Sequence, residues 1–309
     1  MLITGCFLSF NTVVRRYCVK QLLLIYNPVS GKGSFKEMLD LFIEEMQNEG
    51  FLLQIHRLSK DDDLPKVLER YSAFNIDLIV AAGGDGTISA VVGGMIYHSI
   101  DIPLGILPVG TINDFASYLN IDENLHAAIN TIKRNNVSEV DVGCINGKSF
   151  VNVVSIGKLS SIAHKTNQAI KNNLGKMGYY INVLGQNPAF EFFKVKYIVN
   201  QKVYEEEAML FLVLNTKGAG GFKNLAPDAR VNDKKFDVLV IKNCNIISKL
   251  NLFLKILRGD HRDDSCIHYF QTDQLYVECF DNVETDVDGE AGPLFPMIIR
   301  YQRQIKVLC

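Results

Sequence analysis

IDLIVAAGGDGTISA, residues 76–90, is the stretch from which the fold can be read. Ile76 to Ala82 is apolar but for Asp77, the composition of a strand buried on both faces. It stops at Gly83-Gly84-Asp85-Gly86-Thr87, and an apolar pattern at helical spacing follows. Strand, glycine turn and helix start, in that order, make a phosphate site. Glycines let the backbone approach the anion and adopt positive φ, and a helix N-terminus points its unpaired N–H groups at it. Asp85 is the misfit, because a carboxylate repels phosphate unless a cation lies between them, and it points to Mg²⁺. The same glycines would also serve merely to close a tight connection, so the rest of the chain has to decide.

Working back toward the N-terminus, Leu52–Leu58 reads as a strand, Asp62–Tyr71 as a helix and Gln21–Tyr26 as the first buried strand. That first strand runs into Asn27-Pro28-Val29-Ser30-Gly31-Lys32-Gly33-Ser34, where Ser34 is placed to cap a helix from Phe35. Working forward, Pro103–Leu107 is the next buried strand. It ends in Pro108-Val109-Gly110-Thr111-Ile112-Asn113-Asp114-Phe115-Ala116. Three strands thus end in loops rich in Gly, Ser, Thr, Asn or Asp. Loops of that kind converging on the carboxyl edge of one parallel sheet make a nucleotide site. The expectation is a doubly wound α/β domain over 21–140.

Beyond Val140 the pattern changes. Asn146-Gly147 is a hairpin turn between Val140–Ile145 and Ser149–Val154. Residues 158–186 read as helical. Long strand-like runs follow at Phe190–Val199, Val203–Asn215, Phe236–Ile241 and Ile267–Phe280, with a helix at Ile246–Arg258. This predicts an antiparallel, sandwich-like domain over 141–309, with the active site in the cleft between the two domains. Residues 1–20 read as an irregular extension.

The sequence is 48% hydrophobic and 21% charged with a net charge of −2, so no basic field argues for nucleic acid. Seven cysteines, an odd number without a CxxC, fit reduced thiols and neither a disulfide framework nor a zinc site. The longest apolar run, Ala208–Leu214, is far shorter than the ~20 residues of a membrane helix.

The last motif is Thr285-Asp286-Val287-Asp288-Gly289-Glu290. A glycine between two acids puts two carboxylates on one tight turn, able to face one site as a base and its partner. Taken alone, it reads rather as a solvated acidic turn. Taken with Asn-Pro-x-Ser-Gly at 27–31, Gly-Gly-Asp-Gly-Thr at 83–87 and Pro-x-Gly-Thr-x-Asn-Asp-Phe-Ala at 108–116, it resembles the diacylglycerol kinase catalytic-domain family, most closely the soluble bacterial lipid kinases. Gly220-Gly221 and Ala226-Pro227-Asp228-Ala229 extend the resemblance into the second half. The GGDGT motif is shared with NAD kinases; GTINDFA and the late DGE are more specific.

The resemblance implies an ATP- and Mg²⁺-dependent lipid kinase that phosphorylates a lipid hydroxyl, with diacylglycerol the default acceptor. Asn27, Ser30, Gly31, Lys32, Gly83, Gly84, Gly86, Thr87, Gly110, Thr111 and Asn113 would hold ATP. Asp85 and Asp114 would position Mg²⁺, directly or through waters. Asp288 matches the general base, with Glu290 beside it. Asp233 is what remains of a second, structural Mg²⁺ site seen in some members, since Lys234 replaces the turn glycine and Asn232 one of its acids. Structural alternatives stand next to several of these. Thr111 and Asn113 also suit a helix cap, Asp114 a first-turn acid, Lys32 a solvated loop, Asp141 a strand-end turn and His164 a plain surface position.

The resemblance further implies a cytoplasmic enzyme in peripheral contact with the membrane that carries its lipid. Its footing would be Lys165, Lys171 and Lys176, or the 246–258 helix with Lys249, Lys255, Arg258 and Arg262, although that helix also reads as packed on its own domain. Nucleic acid is not expected as a partner, and a homodimer is left open. The rival readings are an NAD-kinase-like small-molecule kinase and an inactive nucleotide-binding regulatory module.

Overall fold

The computed structural model describes residues 20–33, 35–157 and 192–309. The extension before Lys20, the Ser34 cap, His164, Lys165, Lys171 and Lys176 lie outside them.

Strand β1 (Lys20–Tyr26) passes through a 3-10 turn (Ser30–Gly33) into α1 (Phe35–Asn48), and β2 (Phe51–Arg57) and α2 (Leu64–Arg70) follow. Then come β3 (Leu78–Gly83), α3 (Asp85–Tyr97), β4 (Leu104–Pro108), α4 (Asp114–Tyr118) and α5 (Leu125–Arg134). The second half holds β5 (Val137–Ile145), β6 (Lys148–Phe150), β7 (Val153–Ile156), β8 (Phe193–Val199), β9 (Lys202–Leu214) and β10 (Phe236–Lys242). Helix α6 (Ile246–Arg258) precedes β11 (Ile267–Thr272), β12 (Gln274–Cys279), β13 (Thr285–Val287), β14 (Glu290–Ala291) and β15 (Met297–Leu308).

The first half is a parallel sheet in the order β2-β1-β3-β4. Every residue of β3 and β4 is buried, as central parallel strands require. The strand order reverses between β1 and β3, which makes the carboxyl ends of those two strands the crevice where ligands bind in such sheets. Helix α3 starts there. It is apolar on nearly every side and packs against α2, β3 and β6, so one helix touches both halves of the chain.

The second half is an antiparallel sandwich. The first part of β9 pairs with β8, and its later part lies between β7 and β10. One core cluster gathers Phe150, Tyr197, Phe211 and Phe236, and another packs Leu252 and Ile256 of α6 over Leu212 and Leu239. The last strand joins the halves: β15 pairs with β12 at Met297–Arg300, with β5 along its length, and with β4 at Val307.

Two runs that look continuous in sequence are broken. Ser149–Val154 divides into β6 and β7 because the N–H groups of Val151, Asn152 and Val153 turn to the Asp288 carboxylate. Ile267–Phe280 divides at Asp273, where the chain leaves β10 as partner and joins β8 and β15.

Candidate active site

The loops after β1, β3 and β4 are stitched side by side at the switch point. Asn27 N–H donates to the Ala82 carbonyl (2.9 Å) and Val109 N–H to the Gly83 carbonyl (3.1 Å). The Asn27 amide donates to Thr87 Oγ1 at 3.2 Å. Gly31 has φ +54°, the left-handed turn expected of a glycine loop. Gly83, Gly84, Gly86 and Gly110 are not in that region, which corrects the expectation of positive φ in the GGDGT turn. Two of these glycines are needed for closeness instead. A Cβ on Gly110 would stand 2.4 Å from Gly84 Cα, and one on Gly83 would stand 2.3 Å from Thr87 Cβ.

Gly84 caps α3 without any side-chain hydrogen bond; the Asp85 N–H lies against its own carboxylate, and those of Gly86 and Thr87 are left for a ligand. They face a cleft of about 680 Å³ lined by Asn27, Ser30, Gly84, Gly86, Thr87 and, from the far end of the chain, Glu290. Arg57, Ser59, Lys60 and Asp62, from the end of β2 and the loop after it, form another wall. Those four were not picked out from the sequence. The signal for them was the basic pair around Ser59, directly after a strand end on the ligand edge of the sheet. Asp62 holds that wall, accepting the Ser59 N–H (2.8 Å) and facing His56 Nε2 (3.1 Å).

Asp85 does not enter this cleft. It turns toward α4, accepting the N–H groups of Asp114 (3.2 Å) and Phe115 (3.1 Å). Asp114 accepts the Gly221 N–H at 3.2 Å. Burial, with the negative charge of Asp85 adding to it, pushes the Asp114 carboxyl up to about 6. Burial raises Asp85 as well. Two acids that destabilise each other's charge form a site that a cation would relieve.

Asn113 is buried and bound to its own loop. Its Oδ1 accepts the Gly110 N–H (2.9 Å) and its amide donates to the Gly110 carbonyl (3.0 Å). Its φ of +54° marks it as the residue that turns the loop into α4. Thr111 is exposed and not among the residues lining the cleft. Lys32 lies in the 3-10 turn after β1.

The two late acids part company. Asp288 and Gly289, at φ +53° and +88°, make the two-residue turn between β13 and β14, which places Asp288 in the turn itself and Glu290 on the strand after it, opposite Val287. Asp288 points inward and is 4% exposed. Its Oδ2 accepts Ser89 Oγ–H (2.6 Å) and Val151 N–H (2.7 Å), and its Oδ1 accepts the N–H groups of Asn152 (3.0 Å) and Val153 (2.8 Å). Four donors fill the four lone-pair directions of a carboxylate. Burial still pushes its pKa up, and those donors pull it back. Glu290 points outward into the cleft, with one oxygen 3.9 Å from where a Cβ on Gly86 would lie and the other 3.1 Å from Lys148 Nζ. The expectation that both carboxylates face one site is therefore corrected: only Glu290 reaches the open cleft.

Residues 21–145 match the diacylglycerol kinase catalytic domain, and residues 152–308 match the YegS C-terminal NAD kinase beta sandwich-like domain. A diacylglycerol kinase from Bacillus subtilis (strain 168) is 33% identical over 90% of this chain and 92% of its own. One from Staphylococcus saprophyticus is 30% identical over 90% of this chain and 91% of its own. A crystal structure described as a diacylglycerol kinase from Bacillus anthracis str. Sterne superimposes with a TM-score of 0.76 at 28% identity, covering 94% of this chain and 96% of that one. This chain belongs to the diacylglycerol kinase family.

In the second half, the acids near the 232–234 turn are bonded to their own surroundings. Asp233 accepts the Lys235 N–H within its own loop, and Asp141 accepts the Lys234 N–H (2.6 Å) and the Gln304 amide (2.9 Å). Lys234 itself has φ +61°, the conformation a glycine would take more easily. Among the described residues no three His, Cys, Asp or Glu side chains are grouped to hold a metal. Helix α6 buries Leu252, Phe253 and Ile256 against its own domain. Three of the four basic residues on and just beyond it are engaged: Lys255 pairs with Asp264, Arg262 with Asp228, and Lys249 lies over Phe192, while Arg258 is exposed. Among the described residues no helix is long and apolar enough to cross a membrane.

Proposed function

We propose that this kinase transfers the γ-phosphoryl of ATP to a lipid hydroxyl, converting diacylglycerol to phosphatidic acid. The observation carrying this reading is the position of Glu290, across one cleft from the uncapped N-terminus of α3. That cleft offers an anion-binding wall and, facing it, an exposed carboxylate with one oxygen on Lys148 and the other left to accept a proton.

In this reading the N–H groups of Gly86 and Thr87 hold the ATP phosphates, with Asn27 and Ser30 beside them and Gly31 and Lys32 in the same loop. Gly83, Gly84 and Gly110 let the loops close on each other. Thr111 lies in the same loop as Asn113, which braces Gly110 and so acts on the nucleotide by positioning the loop. Mg²⁺ suits Asp85 and Asp114, whose mutual repulsion a cation would relieve, and it would neutralise phosphate charge during transfer. Waters would complete its shell, because the Asp85 oxygens already accept backbone N–H groups.

Glu290 accepts the proton of the lipid hydroxyl as that oxygen bonds to phosphorus and the bond to the β-phosphate oxygen breaks. Lys148 steadies its carboxylate. Asp288 acts as the anchor that fixes the turn presenting Glu290, so the role of base passes from Asp288 to its neighbour. The lipid reaches the enzyme from the cytoplasmic membrane face, which requires peripheral contact.

The test is incubation with γ-labelled ATP, Mg²⁺ and a panel of acceptors: diacylglycerol, other lipid alcohols and NAD. Label on diacylglycerol is the expected result. Label on NAD alone would replace this reading with an NAD-kinase-like one. ATP binding without label on any acceptor would leave a nucleotide-binding regulatory module.

A further inference from the structure

A second cleft, of about 610 Å³, opens beside Asp114 and shares no lining residue with the nucleotide cleft. One wall is α4 and the start of β5, with the hydroxyls of Ser117 and Ser138. The other is the loop between β9 and β10, which contributes Lys217, Lys223 and Arg230. All three are exposed, and among the described residues none has an ion-pair or side-chain hydrogen-bond partner. This contrasts with α6, where Lys255 is paired, as is Arg262 just beyond it.

The loop carrying the three cations is held firmly from behind. Ala226 N–H donates to the Lys217 carbonyl (3.0 Å), Tyr118 Oη–H to the Ala229 carbonyl (3.1 Å) and Asp141 N–H to the Val231 carbonyl (2.6 Å). His261, fully buried, bonds the Leu225 carbonyl at 2.9 Å. Leu225, Ala226 and Ala229 are themselves core residues. The backbone is therefore fixed while three cationic side chains without an ion pair stand around one polar groove, Lys223 within reach of the Asp114 charge and the set outnumbering the two acids on the lining. A preorganised set of this kind lowers the ordering cost of binding an anion.

We propose that this cleft binds a phosphomonoester, held by Lys217, Lys223 and Arg230 with hydroxyl donors from Ser117 and Ser138. Three cations exceed what a carboxylate needs and suit a dianion whose tetrahedral oxygens accept several donors at once. Glu139, and Asp114 when no cation sits on it, are on the same lining and set a limit by disfavouring crowded polyanions. Nucleic acid is disfavoured too, because the cations are confined to one groove and form no track along the surface. The chemistry is shared by free phosphate and by a lipid whose headgroup is a bare phosphate. The proposal stands apart from the reaction proposed above, since binding needs no turnover.

The test uses the full chain with ADP saturating the nucleotide cleft, and a Lys217→Ala/Lys223→Ala/Arg230→Ala variant. Zwitterionic vesicles doped with a phosphomonoester-headgroup lipid should retain the wild-type protein about tenfold better than the variant. Calorimetry with inorganic phosphate forms the second arm. Vesicle binding that phosphate does not displace supports a lipid headgroup as the ligand. Phosphate binding without vesicle retention supports the free ion, and either result sustains the site. Equal binding by variant and wild type, or no binding of either probe, overturns it. So does equal retention on vesicles of matched charge carrying a phosphodiester headgroup. ADP affinity should be the same in both proteins, and a parallel loss there would also overturn a separate site.

Discussion

Ser89 Oγ donates to Asp288 Oδ2 at 2.6 Å, joining residues 199 positions apart. Ser89 lies in the second turn of α3, whose first turn lines the cleft, and Asp288 begins the turn that presents Glu290. That bond holds the late hairpin in register with the start of α3. The two acids should therefore fail differently. Asp288→Asn exchanges one acceptor oxygen for an NH₂ facing two buried donors, which should cost about 2–4 kcal/mol of stability. Glu290→Gln buries nothing new and should leave the unfolding midpoint unchanged while turnover falls by about 10²–10⁴. Denaturant melts and labelled-ATP assays on both variants separate the roles. An Asp288→Asn protein of normal stability with no turnover would return the base to Asp288.

The contact between Gly84 and Gly110 predicts a second asymmetry. A Cβ on Gly110 would lie 2.4 Å from Gly84 Cα and 2.5 Å from Asn113 Oδ1, and backbone cannot step aside as a side-chain tip can. Gly110→Ala should therefore cost about 1–3 kcal/mol and weaken ATP binding by pushing the β3 and β4 loops apart. Gly93, inside α3, has nothing within 4 Å of its would-be Cβ. Gly93→Ala should be stabilising by about 0.5–1 kcal/mol, from helix propensity alone. Urea midpoints and ATP calorimetry read both. Equal effects from the two substitutions would mean the loops are looser than this packing requires.

These contrasts also show how much of the molecule could be read from its sequence. The parallel strands were legible because strands buried on both faces are apolar throughout, and their glycine-rich ends marked the ligand edge. Helix α6 was legible from its periodicity, and the β13–β14 turn from Asp288-Gly289. Which way the two late acids point was not legible. A turn with both central residues at positive φ decides that, and in this chain it sends Asp288 to donors on a loop more than 130 positions earlier. The break between β6 and β7 has the same cause, since the N–H groups missing from the ladder serve Asp288. Nor could the sequence show that Gly110 is a packing glycine, because its reason is another loop's backbone. Arg57 and Lys60 went unmarked because a short polar loop after a strand has no motif; only the switch-point geometry gives it a role.

Asp62 gives a prediction about pH. The Ser59 N–H is the main cause holding its carboxyl below the usual range; burial opposes it, and the His56 ring adds a further downward pull. A carboxylate whose pKa is lower in the folded state adds stability above its unfolded value, and that stability is lost as pH falls through the folded value. Wild type should therefore be more stable than Asp62→Asn near neutrality, with the difference narrowing as pH falls through and below the ordinary carboxylate range. Melting curves across that window measure it. A difference that grew on acidification would mean Asp62 is not acting as a bound carboxylate in the loop.

Arg57 and Lys60 are the cations on the wall of the cleft at the start of α3, and among the described residues neither has an ion-pair partner. Both are exposed, so removing them should leave stability nearly unchanged. If the ATP phosphates or their counter-charge lie in that cleft, each cation adds about 1 kcal/mol of partly screened attraction. Lys60→Ala and Arg57→Ala should then each weaken ATP binding about fivefold at low salt, with the deficit shrinking as salt shortens the range of the interaction to ~3 Å at 1 M. Calorimetric titration with ATP at two ionic strengths provides the measurement. Unchanged affinity in the double variant at low salt would place the triphosphate outside this cleft, and the role given to Glu290 would fall with it.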